Sequence, residues 1–320
     1  MGRGERSGHG ARRKAFGEGV SRGEEQAKGG ERPLSRLVVK VGTSTLTDAQ
    51  SRLDRAFIAD LTAQLAAQRA QGRDVLLVTS GAIRAGREIL EQGNRDTPGG
   101  APAGVASNAC SLPSYDVNSL PYKQAAAAIG QGRLLHTYTE AFAWRNVDCA
   151  QILLTRDDIS DRRRFLNARN TLLTLLSLGV VPVINENDTV AVDEIKFGDN
   201  DHLAALVATL VDADLLIILS DVEGLYDRAP DSLSPPATLL STVPYIDATV
   251  LALAGGTTSG VGTGGMRTKV EAARIATNAG IRTVIAKGRR ERVIADILAG
   301  ESLGTTFLPA SSAVGSNSLS

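Results

Sequence analysis

Six short apolar runs punctuate the chain, and none keeps to a strict apolar–polar alternation. They are LVVKVG (37–42), DVLLVT (74–79), CAQILLT (149–155), VVPVIN (180–185), DLLIILS (214–220) and RTVIAKG (282–288). A strand with one wet face alternates, whereas a continuously apolar one belongs to a sheet covered on both sides. The stretches between carry helical spacing. Leu53, Phe57, Leu61 and Leu65 recur every four residues ahead of Gly72, and Leu203, Leu206, Val207 and Leu210 mark a second face. Strands alternating with helices predict parallel βαβ units, hence an α/β fold: a three-layer αβα sandwich with an open, mainly parallel central sheet. Ligands of such sheets gather beyond the carboxyl ends of the strands.

Charge narrows the partners. Lysine and arginine total 35, as do aspartate and glutamate, so no net field draws nucleic acid or an anionic membrane. Aromatics at 4% are too sparse for a single-strand stacking platform. No apolar run is long enough to span a bilayer. Cys110 and Cys149 form neither a disulfide framework nor a metal knuckle, and Cys149 reads as a small buried hydrophobe. His9, His136 and His202 lack metal-ligand spacing.

Three segments break the pattern. Residues 1–33 mix glycine, arginine and glutamate, without the apolar core of a signal peptide, and read as a disordered extension. Residues 91–121 are rich in Gly, Pro, Ser, Asn and Ala and read as a long flexible loop. The tail at 310–320 is low in complexity and reads as disordered. Cytoplasm is the expected compartment.

Chemistry-bearing residues cluster at strand ends. Lys40 emerges from the first run into Gly42-Thr43-Ser44. Thr79, Ser80 and Gly81 stand where a strand yields to a helix, which suits either an anion site or a plain N-cap. Asn185, Glu186, Asn187 and Asp188 follow a buried strand, as a solvated loop or as substrate ligands; Asp188 would accept from a substrate ammonium. Asp199, Asn200 and Asp201 precede a helical face, and two acids plus an amide exceed what one cap needs. Ser220 and Asp221 end a strand, either holding the base or ribose of a nucleotide or making an ordinary turn. GVGTGGMRTK (260–269) does not fit G-x-x-x-x-G-K-[ST]. It still reads as a phosphate cradle feeding a helix, with Lys269 at its end.

Taken in order, VVKVGTSTLT, VTSGAIRAGRE, LLTRDDISDRRRFLNARNTL, VPVINENDTVA, IKFGDNDHL, LSDVEGLY and GVGTGGMRTK resemble the amino-acid kinase family, in particular its branch acting on glutamate. The resemblance runs from about Leu37 to Leu308. It implies a kinase domain over 34–309 that phosphorylates the γ-carboxylate of L-glutamate with ATP, the first step toward proline. It further implies that Lys40 contacts the ATP phosphates, that Lys269 acts from the leaving-group side, and that Asp201 orients both lysines. Ser80, Asp188 and Asn200 match the glutamate-binding positions. Lys40, Ser220, Asp221, Thr263, Gly264, Gly265, Met266, Arg267, Thr268 and Lys269 match the nucleotide site. Mg²⁺ is expected to travel with the ATP phosphates, with no protein ligand assigned.

The resemblance also implies a homo-dimer or homo-tetramer and functional coupling to a glutamyl-phosphate reductase. Three departures stand out: the extension before the first strand, a loop at 91–121 longer than usual, and a chain that ends with the kinase domain where many relatives continue into a PUA domain. The rival readings are a kinase for N-acetylglutamate or aspartate, and a non-catalytic nucleotide or amino-acid sensor. An acetylated amine has no ammonium for Asp188, and a sensor has no need of both lysines with Asp201.

Overall fold

The computed structural model describes residues 34–95, 116–190, 200–228, 236–255 and 265–310. The expected extension at 1–33 lies outside them, as do Cys110, Thr263, Gly264 and all but the first residue of the expected tail at 310–320. All six sequence-predicted strands form: β1 (Arg36–Val41), β2 (Asp74–Val78), β3 (Cys149–Leu154), β4 (Val181–Glu186), β5 (Leu215–Ser220) and, beyond the short β6 (Thr242–Val243), β7 (Arg282–Lys287). With β8 (Thr305–Phe307) they make one sheet in the order β3-β4-β2-β1-β5-β7-β8-β6. The strands from β3 to β7 are parallel, and β8 runs antiparallel to β7. β6 and β8 are invisible in the sequence because two or three residues carry no periodicity.

Strand parity divides the core into two layers. Val38, Leu76, Val78, Leu216 and Ile218 pack on one face, with α7 (Asn200–Leu210) and α9 (Met266–Asn278). Leu37, Val39, Leu77, Ile217 and Leu219 pack on the other, with α2 (Arg55–Ala70) and α4 (Leu120–Ala143). Helices on both faces explain the continuously apolar strands. The chain departs from β1 toward β2 on one side while β5 lies on the other, so β1 is the switch point where ligands of such sheets collect.

Helix α3 (Ala82–Arg95) occupies the first residues of the segment expected as a loop, and α4 begins at Leu120. These helices cross with their backbones in contact. A Cβ on Gly130 would sit 1.9 Å from the Ala82 carbonyl oxygen, and one on Gly86 would sit 1.8 Å from that of Ala126. Only glycine permits that approach. Tyr138 of α4 is fully buried, with its hydroxyl 2.8 Å from Thr79 Oγ1 just beyond β2; burial pushes the phenol well above its usual range. Cys149 is half-buried rather than buried, because β3 is the sheet's edge strand, and partial burial raises its thiol pKa.

Asp54 caps α2, its carboxylate accepting from the Phe57 N–H at 3.0 Å and from Arg289 at 2.7 Å. The Phe57 amide, reinforced by Arg289, holds this carboxyl below its usual range. A carboxyl with a depressed folded pKa stabilises above its unfolded pKa, about 3.9, and loses that contribution as pH falls through the folded value. Asp54→Ala should therefore cost about 1 kcal/mol at pH 7. Urea unfolding should show the gap to the parent narrowing below about pH 4; a gap constant with pH would refute the assignment.

Candidate active site

Parity also aims the first lysine. Lys40 lies two residues past Val38, so its side chain takes the face covered by α7 and α9. There its Nζ meets Asp201 Oδ1 at 2.5 Å, while Lys269 Nζ meets Oδ2 of the same carboxylate at 3.2 Å. Asp201 is fully buried, and Lys40 and Lys269 are 2% and 6% exposed. Within this trio two positive charges share one negative charge, away from bulk water. Buried charges demand such close compensation. The Thr268 hydroxyl lies 3.0 Å from Asp201 Oδ2 and 2.8 Å from the Gly265 carbonyl oxygen, tying the first turn of α9 to the carboxylate. A Cβ on Gly42 would lie 3.4 Å from Lys40 Nζ, so a side chain there would stand in contact with the ammonium.

Toward β2 and β4 stands a row of amides. The Glu186 N–H donates to Asn185 Oδ1 at 2.9 Å, which settles which end of that amide is oxygen. Asn185 Nδ2 then donates to Gln131 Oε1 at 2.9 Å. Asn200 Nδ2 donates to Asn185 Oδ1 at 3.1 Å and to Ser80 Oγ at 2.8 Å. Ser80, accepting from Asn200, therefore keeps its own proton to donate. Asn200 Oδ1 is a buried acceptor that no hydrogen bond satisfies among the described residues. A buried orphan acceptor costs on the order of 1–3 kcal/mol, and a bound donor such as an ammonium would recover it.

On the opposite side of β1, Ser220 ends β5, one residue beyond the Leu219 that pairs with Val41. Its hydroxyl contacts Asp221 Oδ1 at 3.1 Å. Gly265 is the N-cap of the 13-residue α9, so the N–H groups of Met266, Arg267 and Thr268 open a helix N-terminus beside Lys269. Among the described residues no group of three His, Cys, Asp or Glu is placed to hold a metal ion.

Thus Lys40, Lys269 and Thr268 gather on Asp201, and Ser80 joins Asn200, the two clusters meeting through the adjacent residues Asn200 and Asp201. Asp188 sits half-buried in the turn after β4, three residues beyond Asn185. Asn185, in the sequence only one member of a polar cluster, is a hub of the amide row. Gln131 escapes a reading of the sequence, because an amide in the stretch QAAAAIGQGR carries no local signal.

Parallel strands fanning from a switch point, with one buried lysine on the switch-point strand and another in the first turn of α9, suit a phosphate-handling α/β protein. The chain belongs to the amino acid kinase family, whose signature matches residues 35–287. Among curated relatives, the glutamate 5-kinase of Pelobacter propionicus is 48% identical over 278 residues, 87% of this chain and 69% of that protein. The glutamate 5-kinase of Herpetosiphon aurantiacus is 50% identical over 86% of this chain and 69% of its own length. The UMP kinase of Bacillus anthracis shares the fold alone, with a TM-score of 0.57 at 14% identity, over 87% of this chain and 98% of its own.

Proposed function

We propose that this chain transfers the γ-phosphoryl group of ATP to the γ-carboxylate of L-glutamate, giving L-glutamyl 5-phosphate at the entry to proline synthesis. The observation that carries the reading is the pair of buried lysines bridged by Asp201, between the amide row on one side and the Ser220 segment on the other. Relatives named glutamate 5-kinase, 47–50% identical, support the choice of acceptor.

The chemistry follows from charge. A γ-carboxyl group ordinarily titrates at about pH 4.3 and is already ionised near neutrality, so no general base is needed. Its oxygen forms the new P–O bond as the β,γ-bridging bond breaks, and that electron pair leaves with ADP. The obstacle is bringing anion to anion, and the site answers with fixed positive charge and positioning. Lys40 neutralises the transferring phosphoryl group, Lys269 the developing charge on ADP, and Asp201 holds both ammonium groups in register. Ser80 donates to the acceptor carboxylate, while Asn200 Oδ1 and Asp188 receive the ammonium. Ser220, Asp221 and the segment from Thr263 to Lys269 hold the nucleotide. Mg²⁺ enters as part of the MgATP substrate, in keeping with its preference for phosphate oxygens.

Hydroxylamine trapping of the acyl phosphate is the test: hydroxamate should form with L-glutamate and ATP. Formation with N-acetylglutamate or aspartate instead would overturn the acceptor assignment. Lys269→Ala should lower kcat about a hundredfold with the glutamate KM nearly unchanged. A change confined to that KM would remove Lys269 from phosphoryl transfer.

No helix among the described residues is long and apolar enough to cross a membrane; we place the enzyme in the cytoplasm, acting on small molecules rather than nucleic acid. We further infer from the family resemblance that the enzyme assembles as a homo-dimer or homo-tetramer, for which Leu166 and Leu178, exposed on and just beyond α6 (Arg162–Ser177), offer scattered apolar surface. Light scattering would measure it. The labile acyl phosphate suits direct use by a glutamyl-phosphate reductase.

A further inference from the structure

We propose that Gln131 of α4 contacts the substrate, as the residue that recognises the α-carboxylate of the amino-acid acceptor. This inference rests on the acceptor reading above and adds to it a residue from outside the strand-end motifs.

Hydrogen-bond direction fixes how the side chain is turned. Because the Glu186 N–H makes the facing atom of Asn185 an oxygen, the other end of Asn185 is a donor, and the Gln131 atom it meets at 2.9 Å is the carbonyl oxygen Oε1. That leaves Gln131 Nε2 as the outward end of a half-buried side chain. Among the described residues nothing accepts a hydrogen bond from it. The amide is thus held at one end and presents two N–H groups at the other.

Sheet order says what those groups face. Asn185 is the penultimate residue of β4, Ser80 follows β2, and Lys40 lies on β1, the next strand over. With strands about 4.8 Å apart, the Asn185–Gln131 end of the row stands roughly 10 Å from the strand that carries Lys40. An acceptor whose reacting carboxylate lies at Lys40 and Ser80 reaches toward β4 with its other end. Asn200 Oδ1, the buried acceptor midway, suits an ammonium. Beyond it, the Gln131 amide supplies donors. An acceptor followed by donors matches an α-ammonium with an α-carboxylate beside it. Glycine at 130 seats α4 directly on α3, which holds Gln131 at this depth.

Two substitutions separate contact from positioning. Gln131→Leu removes both ends of the amide. Gln131→Glu keeps an oxygen for Asn185 but sets a carboxylate against the substrate's α-carboxylate. Hydroxamate kinetics are measured with L-glutamate and with its α-amide, isoglutamine, which keeps the γ-carboxylate but loses the α charge. Losing a hydrogen bond to a charged group should raise the glutamate KM of Gln131→Leu roughly tenfold to a hundredfold, with the ATP KM unchanged. Gln131→Glu should be worse than Gln131→Leu toward glutamate and should shift preference toward isoglutamine at least about tenfold. Circular dichroism and thermal melting establish that each variant is folded.

If Gln131→Glu matches the parent in glutamate KM and in the isoglutamine-to-glutamate ratio, Gln131 only holds Asn185 and the proposal is overturned. If both variants match the parent, it has neither role. A parent enzyme that forms no hydroxamate from glutamate defeats the acceptor reading itself, a failure separable from either variant result.

Discussion

Asp201→Asn should yield a folded protein whose kcat is about a thousandfold below the parent, with the ATP KM not raised. The carboxylate touches two ammonium groups from different elements, Lys40 of β1 and Lys269 of α9. An amide in its place keeps the shape but loses the charge and turns a donor toward one lysine. Both ammonium groups then lose their register, while their attraction for phosphate survives or grows. The expected signature is therefore lost turnover with nucleotide binding retained. Asp201→Ala goes further: removing one member of a buried charge cluster costs on the order of 3–5 kcal/mol. That corresponds to a melting temperature lower by about 10 °C, and MgATP should restore part of it by supplying counter-charge. A raised ATP KM with kcat intact would show that Asp201 serves nucleotide binding and not transfer.

Gly130→Ala and Gly132→Ala should move stability in opposite directions, though they make the same change two residues apart in α4. At Gly130 the added methyl meets the Ala82 carbonyl oxygen at 1.9 Å and the Gly86 nitrogen at 2.3 Å, both backbone atoms that no side-chain rotation can clear. The helices must separate by roughly an ångström, at a cost of about 3 kcal/mol. At Gly132 nothing lies within 4 Å, and replacing a helical glycine should stabilise by about 0.5–1 kcal/mol. Urea denaturation of the pair measures both, and equal signs would refute the backbone crossing. Because α3 starts just after Ser80 and Gln131 adjoins Gly130, the destabilised variant should also bind glutamate more weakly.

The fold was legible to the extent that its signals were local. The six runs became six strands to within a residue or so, since a continuous apolar stretch needs no distant information to be recognised. The turn after Lys40 is the single helical turn α1 (Thr43–Leu46), too short to show a period in the sequence. Helix α4 has no predicted counterpart, because its alanines and glycines blur the apolar stripe that periodicity depends on. The pairing of Lys40 with Lys269 through Asp201 comes from family resemblance. Residue pattern alone leaves each of the three as a separate strand-end or cap.

The sequence by itself determined the class of fold and set the two lysines and the aspartate at strand ends or helix caps. These rest on continuous apolar runs and on polar residues placed at their ends, which any neighbourhood preserves. Only the tertiary structure decided which way Lys40 points. In a run buried on both faces the sequence does not distinguish Val38 from Val39, and the packing of α7 and α9 breaks that tie. It also decided the amide row, in which Gln131 and Asn185 meet across 54 residues of chain. Hydrogen-bond direction passes along such a row from one fixed backbone N–H, and a contact between distant segments leaves no local trace in either.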